Sequence, residues 1–338
     1  FQDLRTIEVQ RLHLKMTDTI NKYGNLYAPA TANQVLMIFK SMTKSAISLG
    51  VIEKDICKPV KLFRLNNART HFLTTFEIKR LLKACREYSN KTIAAFIVEP
   101  ITGASGVIVP PPGYYEKVQA ILAKYDILFW TDEVITAFGR TGKDFGCNTM
   151  GIKSPDLMTL AKQLSSAYMP ISASLISGDI YQALIEPSNK IGVFGHGYTY
   201  SGHPVACAVA LKTLEIYQRD NMFDEAAIKG QYMQAKLQTL TDHPLVGEIR
   251  GKGMIAAVEL VANKQTGQAF SNGDIGNYAM ATCQRLGMIT RAIAGSSLAF
   301  CPPLIITNAQ IDEMVDILEK ALDETLIFAM KNNLIVDE

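Results

Sequence analysis

The sequence predicts an α/β fold: a mostly parallel sheet, a smaller C-terminal α+β domain after it and an all-α module before it. Three observations lead there. Apolar runs at Ile93–Val98 and Ile127–Thr131 have the character of strands buried on both faces. A helical pattern at Tyr114–Tyr125 lies between them, which implies a right-handed βαβ unit. Residues 1–90, by contrast, place apolar side chains only at helical spacing.

Taken in order, Thr31 to Leu49 carries Val35, Ile38, Phe39, Met42 and Ala46 on one helical face, and Gly50 is a suitable terminator. Lys58 to Arg69 reads as a basic, irregular connector. Thr74 or Thr75 caps a further helix with Phe76, Ile78, Leu81, Leu82 and Cys85 inward. The pattern changes at Lys91, where the first apolar run begins and then stops at Glu99-Pro100. Later strands are expected at Ile171–Ile176, Met254–Leu260 and Ser297–Phe300. Helices are expected over Pro204–Arg219, with proline at an early position, over Asp224–Leu240 and over Asn308 to Met330. The expected domains are therefore a helical module over 1–90, a large domain over 91–240 and a small domain over 241–338.

The chain has 338 residues and a formal charge of +2. That balance hides an asymmetry. Residues 1–90 hold 15 Lys/Arg against 7 Asp/Glu, and the remainder holds 19 against 25. A basic module is a possible nucleic-acid binder, and equally a solvated helical surface. The six cysteines are scattered without metal-ligand or Cys-x-x-Cys spacing, which fits reduced thiols in a cytoplasmic protein. No uncharged apolar stretch is long enough to span a bilayer. The first residue is not Met, which suggests an incomplete reading frame. His196 and His203 stand too far apart in a Gly-rich loop for a metal site, and Gly195-His196-Gly197 lacks the strand-to-helix context of a dinucleotide fingerprint.

The chemistry concentrates in one α/β unit. Asp132 ends the second apolar run, and Lys162 follows about thirty residues later in Leu160-Ala161-Lys162-Gln163. Singly, each has a bland reading as a strand-end carboxylate or a surface lysine. Together they suit pyridoxal 5′-phosphate (PLP): an amine condenses with its aldehyde, and a carboxylate keeps its ring nitrogen protonated.

The order Asp132-Glu133-Val134, Gly139-Arg140-Thr141-Gly142, Pro155-Asp156-Leu157, Lys162, Gly195 through Pro204, Arg250-Gly251-Lys252-Gly253-Met254 and Cys301-Pro302-Pro303-Leu304 resembles the class III (ω-amino acid type) PLP-dependent aminotransferases of fold type I. The resemblance runs from about residue 91 to the end. It implies Lys162 as the Schiff-base lysine and general base, and Asp132 as the partner of the ring nitrogen, with Val134 beside the cofactor. It implies that Thr199 reaches the cofactor phosphate of a second subunit, hence a homodimer with shared sites. It implies Arg291 as the anchor of the substrate carboxylate, a task its planar fork suits. Glu99 falls where the family has an acidic residue near the site. Family members are longer chains. They carry, in their N-terminal part, a Gly-Ser loop for the phosphate and an aromatic residue that stacks on the ring. Residues 1–90 contain no Gly-Ser pair, and their only glycines are Gly24 and Gly50.

That segment has its own resemblance. Ala32-Asn33-Gln34-Val35-Leu36, Gly50-Val51-Ile52, Asn66-Asn67-Ala68-Arg69-Thr70 and Phe72 through Leu82 are similar to the core-binding domain of a tyrosine recombinase (phage integrase). This implies duplex DNA as a partner, through phosphate contacts by Lys40, Lys44, Lys61, Arg64 and Arg69. The first expectation is thus a transaminase that moves an amino group between an ω-amine or amino acid and a keto acid such as pyruvate. The alternatives are a non-catalytic hybrid or remnant, and a DNA-binding protein acting through residues 1–90.

Overall fold

The structure, a computed structural model, describes residues 5–20, 26–27, 29–48, 50–63, 93–271 and 274–336. Its contacts divide the chain into two compact units, Phe1–Asn67 and Ala68–Glu338.

In the first unit, α1 (Thr6–Thr17) and α2 (Pro29–Ser48) are joined by a small core of Val9, Leu36, Cys57 and Val60. α2 begins two residues before the expected Thr31, because proline at the first helical position needs no N–H partner. Asn33 fastens the following chain: its amide donates to the Phe63 carbonyl at 2.9 Å and its Oδ1 accepts from the Phe63 N–H at 2.8 Å. The helix expected from Thr74 or Thr75 lies outside the described residues.

The second unit contains two sheets. The first has the order β1 (Ala95–Val98), β2 (Leu128–Asp132), β3 (Leu157–Leu160) and β4 (Ala173–Ile176). β1 pairs with β2 and β2 with β3 in parallel, while β4 is antiparallel to β3. The helix α3 (Tyr114–Lys124) connects β1 to β2 and packs Tyr115 and Leu122 against Phe129, Phe96 and Val98. Here the expectation of strands buried on both faces needs correction. One face is covered, but Ile97 on the other is 55% exposed and Leu128 is 37% exposed. An apolar run therefore recorded two apolar faces without requiring that this chain cover both.

A short helix α4 (Gly146–Met150) precedes β3, and α5 (Gly178–Ile191) follows β4. α5 was not foreseen: it buries no residue, and Pro187 within it interrupts a helical reading of its sequence. Its start is capped by Ser177, whose Oγ accepts from the Ile180 N–H at 3.3 Å. The expected Pro204 helix is α6 (Pro204–Arg219), and α7 (Met222–Gln238) follows it.

The second sheet is antiparallel, with the order β5 (Val246–Lys252), β6 (Ile255–Asn263), β9 (Ser297–Phe300) and β8 (Arg291–Ile293), and β7 (Gln268–Ala269) beside β6. α8 (Asp274–Arg285) and α9 (Asn308–Lys331) cover it. Met233 and Leu237 of α7 enter the same core as Val258, Leu298, Ile311 and Leu318. α9 starts with a reciprocal cap: Gln310 N–H donates to Thr307 Oγ1 at 3.2 Å, and Thr307 N–H donates to Gln310 Oε1 at 3.0 Å.

Candidate active site

The site begins at the carboxyl ends of two adjacent parallel strands. Asp132 is the last residue of β2 and stands in register with Thr159 of β3. Lys162 comes two residues after the end of β3. Parallel pairing thus brings both side chains to the same end of the sheet, where open α/β sheets bind their ligands. Asp132 Oδ1 accepts the Val134 N–H at 3.0 Å, which fixes the turn leaving β2. Trp130 Nε1 donates to Thr159 Oγ1 at 2.7 Å and locks the two strands just before the site.

Lys162 has a φ of +44°, a left-handed conformation costly for a residue with a Cβ. The surrounding turn holds it there. Leu164 N–H donates to the Ala161 carbonyl at 2.9 Å, and Ser165 N–H to the Lys162 carbonyl at 3.2 Å. Leu160 and Leu164 on either side are buried in a common cluster with Ala137 and Phe138. Strain at a chemistry-bearing lysine, sustained by packing, is the pattern of a preorganised site.

Lys162 opens onto a cavity of about 440 Å³. Gly103, Ala104, Val107 and Ile135 form one side of it, and Gln163 lies beside the lysine. The antiparallel sheet supplies Ile255, Arg291, Ile293, Ala299 and Cys301. Arg291 and Ala299 are cross-strand neighbours on β8 and β9. The structure therefore brings Lys162 and Arg291, 129 positions apart, to one cavity. Glu99 sits close by: burial raises its carboxyl above the usual range, the Gly103 N–H at 2.7 Å opposes this, and the charges of Asp132 and Lys162 push it in opposite directions.

Glu133, next to Asp132, has a different task. It is fully buried and accepts from the Gly146 and Cys147 N–H groups at 2.8 and 2.7 Å, and from the Thr136 hydroxyl. It closes the start of α4 rather than facing a ligand. Two cavity residues went unnoticed as site residues at the level of sequence. Cys301 and Arg140 both line the cavity, and Arg140, only 7% exposed, stood inside a recognised Gly-Arg-Thr-Gly motif. Burial raises the Cys301 thiol, while Arg140 and Lys162 pull it down.

Thr199 is not among the cavity residues; it lies in the exposed segment between α5 and α6, flanked by Tyr198 and Tyr200. Lys40 is half-buried on α2, and Lys44 and Lys61 are exposed; Arg64 and Arg69 lie outside the described residues. Among the described residues no cluster of His, Cys, Asp or Glu could hold a metal ion, and no helix is long and apolar enough to cross a membrane.

The class III aminotransferase family matches residues 42–322, starting inside the segment that resembles a recombinase module. Relatives include gamma aminobutyrate transaminase 1, mitochondrial, of Solanum lycopersicum, 50% identical over 70% of this chain and 45% of its own length. The putrescine–pyruvate aminotransferase of Pseudomonas aeruginosa is 47% identical over 73% of this chain and 53% of its own. The omega transaminase of Pseudomonas jessenii in complex with PMP superimposes with a TM-score of 0.73, at 45% identity, over 79% of this chain and 58% of that one. A thermostable variant of that enzyme aligns over 96% of this chain and 86% of its own at 34% identity, with a TM-score of 0.72. The chain belongs to the class III aminotransferases, a PLP-dependent family of fold type I. It spans about half the length of the curated relatives it matches.

The residues present fit the ring and amine ends of PLP. A carboxylate terminates β2, an amine follows the adjacent β3, and the neighbouring cavity has mainly apolar walls. Among the described residues, those lining the cavity include no Gly-Ser turn at a helix start that would furnish the phosphate end.

Proposed function

We propose that the chain carries out PLP-dependent transamination, moving an amino group between an ω-amine or amino acid and a keto acid such as pyruvate. The convergence of Lys162 and Arg291 on one cavity, beside the strand end that carries Asp132, is the observation that supports this reading most directly.

When bound, PLP supplies an aldehyde that receives the amino group and a ring that accepts the electron pair released at the substrate carbon. Lys162 would hold the cofactor's aldehyde end, and its free amine would move the proton at the substrate carbon. Asp132 would keep the ring nitrogen protonated through its charge. Arg291 grips a carboxylate through its fork, which suits both a keto acid and an amino acid. Val107, Ile135, Ile255 and Ile293 exclude water from the reacting atoms.

The working form is a homodimer in which Thr199 of each copy serves the other's site. This fits the exposure of Phe194, Tyr198 and Tyr200, at 55%, 84% and 81%, in the segment around Thr199. The compartment is taken as cytoplasmic, on the reduced thiols; two of the relatives' names read mitochondrial and chloroplastic. Duplex DNA gains no support as a partner. Lys44 and Lys61 are exposed and Lys40 is half-buried, the ordinary placement of lysine at a protein surface.

The test is an absorbance titration of the purified chain with PLP, beside Lys162→Ala. A band of bound cofactor near the visible edge in the parent alone, followed by pyruvate-dependent amine turnover, is the expected result. An identical spectrum in both proteins would remove Lys162 from the mechanism.

A further inference from the structure

Two motifs remain outside the chemistry above, and the fold joins both to the cavity. Arg140 Nη1 donates to the carbonyls of Met254 at 2.9 Å and Pro302 at 2.7 Å. The Arg140 carbonyl in turn accepts the Met254 N–H at 2.9 Å. Gly253 lies directly against Thr141: a Cβ added there would meet the Thr141 carbonyl carbon at 2.5 Å. The loop bearing Arg140 shares its packing with the turn of Lys162, through Ala137, Phe138, Leu160 and Leu164. Arg140 therefore ties the Lys162 side of the cavity to the β5–β6 turn and to the chain leaving β9.

Arg250 makes the reciprocal tie. It belongs to β5, and its Nε donates to the Gly106 carbonyl at 2.6 Å. Its Nη2 reaches Ser297 Oγ, at the start of β9, at 3.3 Å. Glu248, at 2.7 Å, and Glu259 hold the guanidinium in place. Gly106 sits within the segment whose Gly103, Ala104 and Val107 line the cavity. Its φ of +113° and the 3.0 Å that a Cβ would leave to Arg250 Nη2 both suit glycine. The segment is closed on itself by Thr102, whose Oγ1 accepts the Ile108 N–H at 3.1 Å.

We propose that Arg140 and Arg250 are positioning residues that fix the span between Lys162 and Arg291, and thereby the length of the carboxylate-bearing substrate the cavity accepts. The inference rests on the reading of Arg291 as the carboxylate anchor. One guanidinium reaches from the Lys162 side to the Arg291 side, and the other reaches back. Each bridges several acceptors at once, which the planar fork does and the single ammonium of lysine does not. Arg140 forms no ion pair among those described and spends its buried charge on two carbonyls, so its strength goes into geometry.

The experiment uses the full chain, Arg140→Lys, Arg250→Lys and Arg291→Ala. Straight-chain monocarboxylates of increasing length, from acetate to hexanoate, are titrated and binding is read by ligand-observed NMR. Melting temperature and the absorbance band with added PLP are recorded for each protein. The parent is expected to prefer one chain length. The two lysine variants should lose that preference and bind the preferred acid roughly ten- to a hundredfold more weakly, as small misplacements of an anchor do. The PLP band should stay as in the parent in both, and so should melting in Arg250→Lys, which a merely structural role would not allow; Arg140→Lys melts earlier by what its buried carbonyl bonds contribute. Arg291→Ala should abolish the preference.

Unchanged length preference in both lysine variants overturns the proposal. So does weakening that only tracks a lost band or lowered melting temperature, and so does a parent that binds none of the acids. Should Arg140→Lys melt early, Arg250→Lys decides alone. A parent without a PLP band whose length preference still vanishes in Arg250→Lys would keep the clamp and sink the transaminase reading.

Discussion

Gly253→Ala measures how tightly the two halves of the cavity are joined. Gly253 has a φ of +60°, and a methyl group there would lie 2.5 Å from the Thr141 carbonyl carbon and 2.8 Å from its Cα and oxygen. Left-handed backbone costs an L-residue about 1–2 kcal/mol. The clash is with main chain, which no rotamer change relieves. The two turns must separate by about an ångström to reach ordinary contact. That separation breaks the bond from the Arg140 guanidinium to Met254, a charged-donor bond of about 1.5–3 kcal/mol. The sum is about 2.5–5 kcal/mol. Gly151→Ala is the control: its φ of +72° carries the same backbone penalty, but nothing lies within 4 Å of the added methyl. It should cost only about 1–2 kcal/mol. Urea unfolding at constant slope reads both. A difference between the two variants below about 1 kcal/mol would refute the backbone contact as the cause.

Other outcomes follow from single groups. Glu133→Gln should lower stability by about 1–3 kcal/mol, because one amide oxygen cannot accept from Gly146, Cys147 and Thr136 as two carboxylate oxygens do; an unchanged urea midpoint would contradict this. Burial lowers the His243 pKa, with Lys264 adding to the effect and Asp323 and Glu319 opposing it, so the neutral ring is favoured in the fold. The unfolded chain then binds the extra proton first, and stability should fall as pH drops below about 6.5. His243→Asn should flatten that fall in melting temperature, and an identical profile would clear His243 of the effect. Cys283, pushed up to about 11, and Cys147, raised further by burial, should resist alkylation in the native protein and react only on unfolding, as mass mapping of modified peptides would show.

The two chemistry-bearing positions were legible in different ways. An apolar run that stops at Asp132 marked one strand end, while the strand before Lys162 (Leu157–Leu160) was not foreseen and Lys162 was singled out by its spacing from Asp132. The limits of α6 and β9 were legible too, one from proline at its first position, the other from a short apolar run. β8 was not foreseen: it has three residues, and only pairing with β9 makes it a strand. α8 was missed although its buried Ile275, Ala279, Thr282 and Cys283 repeat at helical spacing, because small and polar residues dilute the signal. The approach of Arg140 to Met254 and Pro302 spans 114 and 162 positions, a distance that periodicity does not bridge. Sequence pattern reports which face is apolar; it does not report what covers that face, as Ile97 and Leu128 illustrate.

The proposed roles of Lys162 and Asp132, beside a cavity whose described residues include no Gly-Ser turn, divide the demands on the cofactor in a particular way. In the proposed function Lys162 would attach through a bond and Asp132 would tune the ring through its charge, both acting on the reacting atoms. Phosphate contacts act elsewhere on the molecule and contribute mainly affinity. Affinity enters occupancy by mass action, so weaker phosphate binding is offset by a higher cofactor concentration, roughly tenfold for each 1.4 kcal/mol. A lost lysine is offset by nothing. The PLP titration therefore separates two kinds of deficiency. A band that develops late but fully reports a weak hold around an intact reacting centre. A band that never develops, at any cofactor concentration, reports a fault at Lys162, the residue proposed to form the bond. The strained turn that presents Lys162 is where such a fault would lie, because it depends on Leu160 and Leu164 being packed against Ala137 and Phe138.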